Sequence, residues 1–315
     1  MANSICDVKG ITVGCCEDLQ ALTGCTVVLT GPEGAVAGVG VRGAAPGTRE
    51  TDLLHPLNMI QKVHAILLTG GSSYGLDAAG GVMQYLEEKG IGYATGPAVV
   101  PIVPGAVIYD LAVGDHRVRP DRQMGYKACQ QAGSKVPEGN VGAGCGATIG
   151  KLRGFEFCTK SGQGSWSITL ENGLTVGAIV VVNAFGDVIE NGQIVAGVRG
   201  DNGKFPGTAS LWRQKKGLPA EQKAQNTTIA VVASNGQLNK NQVNKVAQMA
   251  HNGLARAINP IHTMCDGDSV FALATGEMPA DVNVVGYMAQ EVLAQAVLRA
   301  VYAAESISSY RCYRD

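Results

Sequence analysis

The distribution of glycine constrains the fold of this chain more than any other feature of its sequence. The 43 glycines are dispersed among short runs rich in valine and alanine, such as VGAIVVVNA, instead of being collected in a low-complexity linker. Glycine allows tight turns and close approach between backbones, and short apolar runs bounded by turn residues are typical of buried strands. The sequence therefore predicts closely packed β-sheets joined by tight turns.

The first half of the chain alternates predicted strands with a helix. Apolar runs at 25–30 and 35–41 flank the turn sequence GPEG, which predicts an early β-hairpin. HAILLTGG predicts a buried strand, and the following LDAAGGVMQYLEEKG predicts a helix that stops at Gly90. Further strands are predicted at VGAIVVVNA, DVIENGQIV and TTIAVVAS.

Two helices are predicted in the last part of the chain. The first has apolar residues at helical spacing and starts at a capping pair, Asn239 and Gln242, and the second starts at the N-cap Asp281. Because helices and strands mix without regular βαβ units, layered sheets of the α+β class are favoured over a doubly wound parallel fold.

Composition excludes several functional classes. With 25 basic and 26 acidic residues and no long charge runs, the chain lacks an electrostatic footprint for nucleic acid or an anionic membrane, so the predicted partner is a small molecule or another copy of the chain. The N-terminus MANSICDVKG has no apolar segment of signal-peptide length, and no later stretch is long enough to cross a bilayer, which predicts a cytoplasmic protein. The nine cysteines lack paired C-x-x-C spacing, so reduced thiols are expected, with no metal and no organic cofactor.

Two glycine-rich motifs offer other functions. GGSSYG is a formal G-x-S-x-G between a strand and a helix, so Ser73 is a candidate serine-hydrolase nucleophile, with His262 the best of the later histidines. A glycine-rich turn leading into the helix explains the same residues. VGAGCGATIGKL contains a formal dinucleotide fingerprint, but polar residues precede it and Gly150 interrupts any following helix, so structural glycines explain it better.

Asn226 and Thr227 stand where a polar approach, QKAQ, meets the apolar strand TTIAVVAS. If the bond between them were cut, Thr227 would carry a free α-amine beside its hydroxyl, which places nucleophile and general base in one residue. An α-amine has an ordinary pKa of about 7.7 to 8.0, so it can accept a proton near neutral pH. The pair is either a self-cleavage junction or an ordinary start of a strand.

Three polar residues are candidates to assist Thr227. Asp266 and Asp268 lie one residue apart in CDGDS, as solvated acids in a turn or as carboxylates that orient the Thr227 amine and exchange protons. Asn183 closes the apolar run VGAIVVVNA, where it either terminates the strand or donates its amide N–H to an oxyanion.

These motifs belong to segments that resemble the DmpA-like peptidases, peptidase family S58, over nearly the whole chain and in the family's order. The family contains L-aminopeptidase/D-amidase/esterases, β-peptidyl aminopeptidases and the 6-aminohexanoate-oligomer endohydrolases, or nylon hydrolases. The resemblance is carried by RGAAPGTRETDLL, LLTGGSSYGLDAAGGV, VPIVPGAVIYDL, RPDRQMGYKAC, GNVGAGCGATIG, VGAIVVVNAFGDV, NTTIAVVA and MAHNGLARAINPIHTMCDGDSVFALATG.

The resemblance implies one catalytic domain over residues 1–315, folded as a four-layer αββα sandwich. It implies self-cleavage into an α chain, 1–226, and a β chain, 227–315, and assembly of the processed units into a homotetramer. The implied activity is hydrolysis of small peptides, amino-acid amides or ω-amino-acid oligomers such as those of 6-aminohexanoate, through a Thr ester.

The junction and the D-x-D sequence resemble the nylon-hydrolase branch, in which cleavage falls between Asn and Thr. In that branch a lysine and an asparagine of the α chain join the site, and these match Asn183 and Lys160, with Lys151 as the alternative lysine. Tyr126 in MGYKAC matches a tyrosine that lines the substrate pocket of the family. The alternative reaction is acyl transfer to an amine, as in the ornithine acetyltransferases, which also cleave before a Thr.

Overall fold

Two β-sheets stack face to face, and helices cover the outer face of each. The computed structural model describes residues 3–214 and 226–315. The sequence QKAQ, the predicted polar approach to Asn226, lies outside the described residues.

The described residues form eighteen strands, several of which are only two residues long. In chain order they are β1 (Thr12–Asp18), β2 (Thr23–Leu29), β3 (Ala35–Val41), β4 (Thr48–Arg49), β5 (Lys62–Val63), β6 (Ala65–Thr69), β7 (Tyr93–Ala94), β8 (Val99–Val100), β9 (Gly105–Val107), β10 (Thr148–Ile149), β11 (Thr159–Lys160), β12 (Gln163–Thr169), β13 (Thr175–Asn183), β14 (Asp187–Glu190), β15 (Gln193–Ala196), β16 (Thr227–Gln237), β17 (Ile258–Asn259) and β18 (Ser269–Pro279).

The same ranges contain five α-helices. They are α1 (Ala78–Glu87), α2 (Arg122–Gln130), α3 (Thr208–Gln214), α4 (Lys240–Ala257) and α5 (Val282–Tyr302). Both predicted caps are confirmed, because Asn239 and Gln242 form a capping box at the start of α4 and the Asp281 side chain accepts N–H bonds at the start of α5.

The two large sheets have similar connections. The five-stranded sheet has the order β1-β2-β6-β9-β4, and the six-stranded sheet has the order β12-β13-β16-β18-β3-β5. Each contains one parallel pair, β6 with β9 and β16 with β18, and α1 or α4 lies in the connection between the paired strands. The remaining neighbours in both sheets are antiparallel.

Alternating side chains explain why the central strands are buried on both faces. In β13, Ala178 and Val180 face a core shared with α4 and α5, whereas Ile179 and Val181 face the core between the sheets. A third core joins the five-stranded sheet to α1 and α2. The layers are therefore helix, sheet, sheet and helix, which confirms the predicted αββα sandwich of the α+β class.

The predicted hairpin around GPEG is wrong, although both of its strands form. β2 pairs with β1 and β6 in the five-stranded sheet, whereas β3 pairs with β18 and β5 in the six-stranded sheet. Gly31 and Gly34 have φ of 79° and 68°, as a tight reversal of the chain requires. A turn sequence predicts the reversal but not the partner of each strand, and here the chain crosses between sheets.

Close backbone contacts account for glycines in two segments. Gly164 in β12 lies against α5, where an added Cβ would approach the Ala296 carbonyl oxygen to 2.3 Å. In VGAGCG, a Cβ on Gly144 would lie 2.4 Å from the Gln163 backbone nitrogen. These distances are too short for any side chain. The glycines of VGAGCG therefore have the structural role that the sequence predicts.

The cysteines agree with the prediction of reduced, buried thiols. All nine cysteines are free thiols, and seven of them are buried. Over the described ranges, no helix combines the length and apolar character that crossing a bilayer requires.

Candidate active site

Asn183 and Thr227 lie directly opposite each other at one end of the six-stranded sheet. Asn183 ends β13 and Thr227 begins β16, and the antiparallel register pairs the two residues. Because alternate residues of a strand share a face, both lie on the face of Val181 and Ile229, which belong to the core between the sheets. The predicted amide donor and the predicted nucleophile are therefore neighbours at the edge of that core.

The peptide bond between Asn226 and Thr227 is buried, with each residue only 5% exposed. The Asn226 carbonyl oxygen accepts a hydrogen bond from the Gly267 backbone N–H at 2.9 Å and another from the Thr227 hydroxyl. The Asn226 N–H donates to the Cys265 carbonyl oxygen at 3.3 Å, and Asn226 forms a parallel bridge with Asp266. In the uncut chain, the Thr227 hydroxyl thus already contacts the carbonyl group before it.

Asp266 connects the junction to the loop after Asn183. Its Oδ1 accepts the Phe185 backbone N–H at 3.2 Å, and its Oδ2 accepts the backbone N–H and the hydroxyl of Thr263 at 3.0 and 2.5 Å. Burial, and then the nearby charge of Asp268, raises the pKa of Asp266 to about 6. This carboxyl group can therefore exchange a proton close to neutral pH.

Asp268 holds the residue that follows Thr227. Its Oδ1 accepts the Thr228 backbone N–H at 2.7 Å, and its Oδ2 lies 2.8 Å from Nδ1 of His262 and accepts the His262 backbone N–H at 3.1 Å. Asp266 and Asp268 are both fully buried. They are therefore fixed carboxylates around the junction, not solvated acids in a turn.

A buried lysine completes the cluster. Nζ of Lys151 donates to the carbonyl oxygen of Asn183 at 2.9 Å and to its Oδ1 at 2.8 Å, while Nδ2 of Asn183 donates to the Tyr109 carbonyl oxygen at 3.2 Å. Burial lowers the pKa of Lys151 to about 7, although the charge of Asp266 acts in the opposite direction. Lys151 therefore carries a charge that depends on pH near neutrality.

Lys160, the lysine that the resemblance assigns to the site, has different hydrogen-bond partners. Its ammonium group donates to the carbonyl oxygens of Gly144 and Ala147, each at 3.1 Å, and to that of Ser161. Burial lowers its pKa to about 8. Among the residues described, no hydrogen bond joins Lys160 to Asn183 or Thr227, so the lysine that the structure brings to Asn183 is Lys151.

Neither Tyr126 nor Ser73 belongs to this cluster. Tyr126 lies in α2, in an outer layer, and its hydroxyl donates to Glu88 at 2.7 Å. Ser73 is exposed in the turn before α1. In the described part of the chain, no hydrogen bond connects Ser73 to His262, whose ring contacts Asp268 instead.

The residues of the site that were not predicted include Thr263, Gly267 and Tyr109. The glycine between two aspartates is the only signal that the sequence offers for Gly267, because a residue without a side chain lets other backbones approach. Thr263 and Tyr109 act through contacts with residues that only the folded chain brings near, and their local sequence contains no signal.

The cluster combines groups that suit acyl transfer to a hydroxyl. Thr227 supplies the hydroxyl, Asp266 and Asp268 supply fixed carboxyl groups, and Lys151 with Asn183 supplies donors of the kind that stabilise an oxyanion. Within 3–214 and 226–315, no three His, Cys, Asp or Glu side chains are grouped so that they could hold a metal ion.

Comparisons with known sequences point to a single family. The model of peptidase family S58 matches residues 3–313. An uncharacterized aminopeptidase of Mycobacterium leprae is 46% identical to this chain, over 99% of the chain and 93% of the relative. A 6-aminohexanoate-oligomer endohydrolase of Kocuria sp. is 32% identical, over 93% of the chain and 84% of the relative.

A solved structure shares the fold. The L-aminopeptidase D-Ala-esterase/amidase of Ochrobactrum anthropi, described as a new variant of the Ntn hydrolase fold, aligns with a TM-score of 0.74. The alignment covers 98% of this chain and 89% of that structure at 21% sequence identity, so the similarity concerns the fold.

Proposed function

The chain belongs to peptidase family S58 and is an amide or peptide hydrolase, and we propose that it cuts itself between Asn226 and Thr227 and then uses Thr227 as an N-terminal nucleophile. The proposed products are an α chain, 1–226, and a β chain, 227–315, which stay folded together as one catalytic domain.

The position of the Thr227 hydroxyl is the observation that carries this proposal. The hydroxyl contacts the Asn226 carbonyl oxygen, and Thr227 lies opposite Asn183 in the ladder. The carboxylate of Asp268 is bound to Thr228, directly after the junction, and that of Asp266 is bound to Phe185, two residues after Asn183. A strand that merely starts at Thr227 has no need of two buried carboxylates, because burying a charge is costly unless it is paired and hydrogen-bonded.

The mature enzyme uses the same hydroxyl on its substrate. The freed α-amine of Thr227 accepts the hydroxyl proton as the oxygen attacks the amide carbon, and it then passes that proton to the departing amine. Asp266 and Asp268 orient the α-amine, while the Lys151 ammonium and the Asn183 amide stabilise the oxyanion. Water then hydrolyses the Thr ester and releases the acid.

The proposed substrates are small peptides, amino-acid amides and ω-amino-acid oligomers. The relative from Mycobacterium leprae is named an aminopeptidase and that from Kocuria sp. a 6-aminohexanoate-oligomer endohydrolase, which supports testing these classes together. The panel of test substrates should also include acetyl-ornithine with an amine acceptor, because its turnover would identify acyl transfer instead of hydrolysis.

Intact-mass analysis of the purified chain tests the proposal most directly. We expect a full-length species to disappear with time while two fragments accumulate, with masses of residues 1–226 and 227–315. A chain that stays in one piece during long incubation, yet hydrolyses amides, would exclude Thr227 as an N-terminal nucleophile.

Assembly into a homotetramer remains a prediction from the resemblance. Sedimentation velocity of the processed protein measures it, and a monomer at assay concentration would contradict it.

A further inference from the structure

The carbonyl oxygen at the junction has a backbone donor that the proposed reaction of the mature enzyme does not use. The Gly267 N–H donates to the Asn226 carbonyl oxygen at 2.9 Å. This carbonyl group is the one that Thr227 attacks in self-cleavage, and its oxygen becomes the oxyanion of the tetrahedral intermediate. A donor already aimed at that oxygen stabilises the developing charge without reorganisation.

The loop that carries this donor is fixed on both sides. The Ala45 N–H donates to the Asp266 carbonyl oxygen at 2.9 Å, and the Gly43 N–H donates to the Asp268 carbonyl oxygen at 3.3 Å. Gly267 therefore sits between two residues whose backbones are bound to the segment after β3, and its N–H is held toward the junction.

The close fit at Gly267 leaves no space for a side chain. An added Cβ would lie 2.9 Å from Oγ1 of Thr227 and 2.6 Å from the Ala45 carbonyl oxygen. A Cβ at position 267 would clash with the attacking hydroxyl. Glycine at this position therefore leaves space for the hydroxyl while its N–H donates to the carbonyl oxygen of the junction.

The side-chain donors of the cluster point elsewhere in the uncut chain. Lys151 donates to Asn183, and Asn183 donates to the Tyr109 carbonyl oxygen. Among the described residues, the hydrogen bonds to the Asn226 oxygen come from Gly267 and from Thr227 itself. The attacking hydroxyl loses its proton in the reaction, which leaves Gly267 as the lasting donor.

We infer that the Gly267 backbone N–H is the oxyanion donor for self-cleavage, distinct from the Lys151 and Asn183 donors assigned to substrate amides. The inference rests on the proposed self-cleavage. In the step it assists, the bond from Thr227 Oγ1 to the Asn226 carbonyl carbon forms and the bond from that carbon to the Thr227 nitrogen breaks. The hydroxyl proton moves to the departing nitrogen, and one water then hydrolyses the ester to the Asn226 carboxylic acid and the free Thr227 hydroxyl.

Replacing one backbone amide by an ester tests the inference, because it deletes an N–H while keeping the shape of the chain. Glycolic acid at position 267 removes the donor, and it also weakens the Asp266 carbonyl oxygen as an acceptor. Lactic acid at position 45 is the matched control, because it removes the N–H that donates to that same Asp266 oxygen. Both full-length chains are made by nonsense suppression, and fragment formation is followed by intact mass.

We expect the chain with the ester at 267 to cut itself about 10²-fold more slowly than the wild type, the size of effect seen for loss of one oxyanion donor. We expect the chain with the ester at 45 to stay within about threefold of the wild type. Equal rates for the wild type and the 267 ester would overturn the inference while leaving the proposed function intact. A wild-type chain that never cuts would instead defeat the proposed function.

A second measurement keeps the inference testable if the ester chains fold poorly. The Thr227→Ala chain cannot cut itself, and its crystal structure would reveal the uncut junction. We expect the Gly267 nitrogen to remain within hydrogen-bond distance of the Asn226 oxygen. A separation above about 3.5 Å, too long for a hydrogen bond, would overturn the assignment.

Discussion

The ends of two central strands, one in each large sheet, each lie near a buried aspartate and a candidate hydroxyl residue, but the two hydroxyl residues have different surroundings. After β6, the turn that leads to Ser73 is bound to Asp110, whose Oδ1 accepts the Gly71 N–H at 2.7 Å. At the start of β16, Thr227 lies beside Asp266. Burial raises the pKa of both aspartates to about 6. Ser73 is nevertheless exposed, whereas Thr227 is buried opposite Asn183.

This difference shows that a hydroxyl becomes a nucleophile only where the fold places activating groups beside it. The G-x-S-x-G sequence correctly places Ser73 between a strand and a helix, but a serine hydrolase also requires a histidine within reach of the hydroxyl. The histidine best placed in sequence, His262, is bound to Asp268 at the other strand end. The groups that can activate a hydroxyl are therefore gathered at Thr227.

Exchanging the two candidate nucleophiles for alanine has the largest expected effect. Thr227→Ala removes the attacking oxygen, so the chain should stay in one piece and lose activity by a factor on the order of 10⁴ to 10⁶. Ser73→Ala should cut itself and turn over substrate like the wild type, because the side chain is exposed and outside the cluster. Intact mass and amide hydrolysis measure both, and the reverse result would make Ser73 the nucleophile.

The two buried lysines allow a sharper test within the cluster. Lys151→Met should lower kcat about 10² to 10³-fold, because it removes a charged donor from the oxyanion. Burial holds the pKa of Lys151 at about 7, so the wild-type kcat should fall as pH rises through that value and the charge is lost. That fall should be absent in Lys151→Met, as a pH profile of single-turnover rates would reveal.

Lys160→Met is the control for the lysine prediction. It leaves the carbonyl oxygens of Gly144, Ala147 and Ser161 without this donor, at a cost of about 1 to 3 kcal/mol for each one left unsatisfied. We expect a lower melting temperature with kcat within about threefold of the wild type. A loss of kcat in Lys160→Met, with Lys151→Met active, would restore Lys160 as the site lysine.

Asp110 and Asp266, whose pKa values are both raised, predict a pH dependence of stability. A carboxyl group with a raised pKa holds its proton more tightly in the folded chain than in the unfolded chain. Its contribution to the free energy of unfolding is therefore present below about pH 4 and is lost as pH rises to about 6. A rise in pKa of this size corresponds to about 3 kcal/mol for each group. In the uncut Thr227→Ala chain, urea unfolding between about pH 4 and 6 should therefore show a shallower decline for Asp266→Asn and for Asp110→Asn.

The two variants should differ in their effect on self-cleavage at the junction. In the chain that retains Thr227, Asp266→Asn should slow self-cleavage on the order of tenfold to a hundredfold, because it disturbs the loop that positions the reacting groups. Asp110→Asn should have a smaller effect. Equal slowing by both substitutions would mean that the two strand ends act as one unit.

Tyr126→Phe has the smallest expected effect. The Tyr126 hydroxyl is bound to Glu88 in the outer helical layer and has no contact with the cluster among the described residues. We expect kcat/KM within about twofold of the wild type for every amide in the panel. A larger rise in KM would support the substrate-pocket role that the resemblance implies for Tyr126.

Features that depend on near neighbours in the chain were predictable. Apolar periodicity and capping residues predicted β13, α4 and α5 because these elements form from residues a few positions apart. The candidate chemistry of Asn226 and Thr227 also required only two adjacent residues. The roles of Lys160 and Tyr126, by contrast, came from the resemblance to a family and not from local physical chemistry.

The sequence by itself thus predicted the main strands and helices and the α+β class, and it offered Asn226 and Thr227 as a candidate junction, whereas the αββα arrangement came from the resemblance. Tertiary structure alone decided that β2 and β3 join different sheets and that Lys151, not Lys160, reaches Asn183. It also decided that Asp266 and Asp268 are buried. The contact from Lys151 spans 32 positions and that from Thr228 to Asp268 spans 40. Pairings at such separations depend on how strands assemble into sheets, which no local pattern encodes.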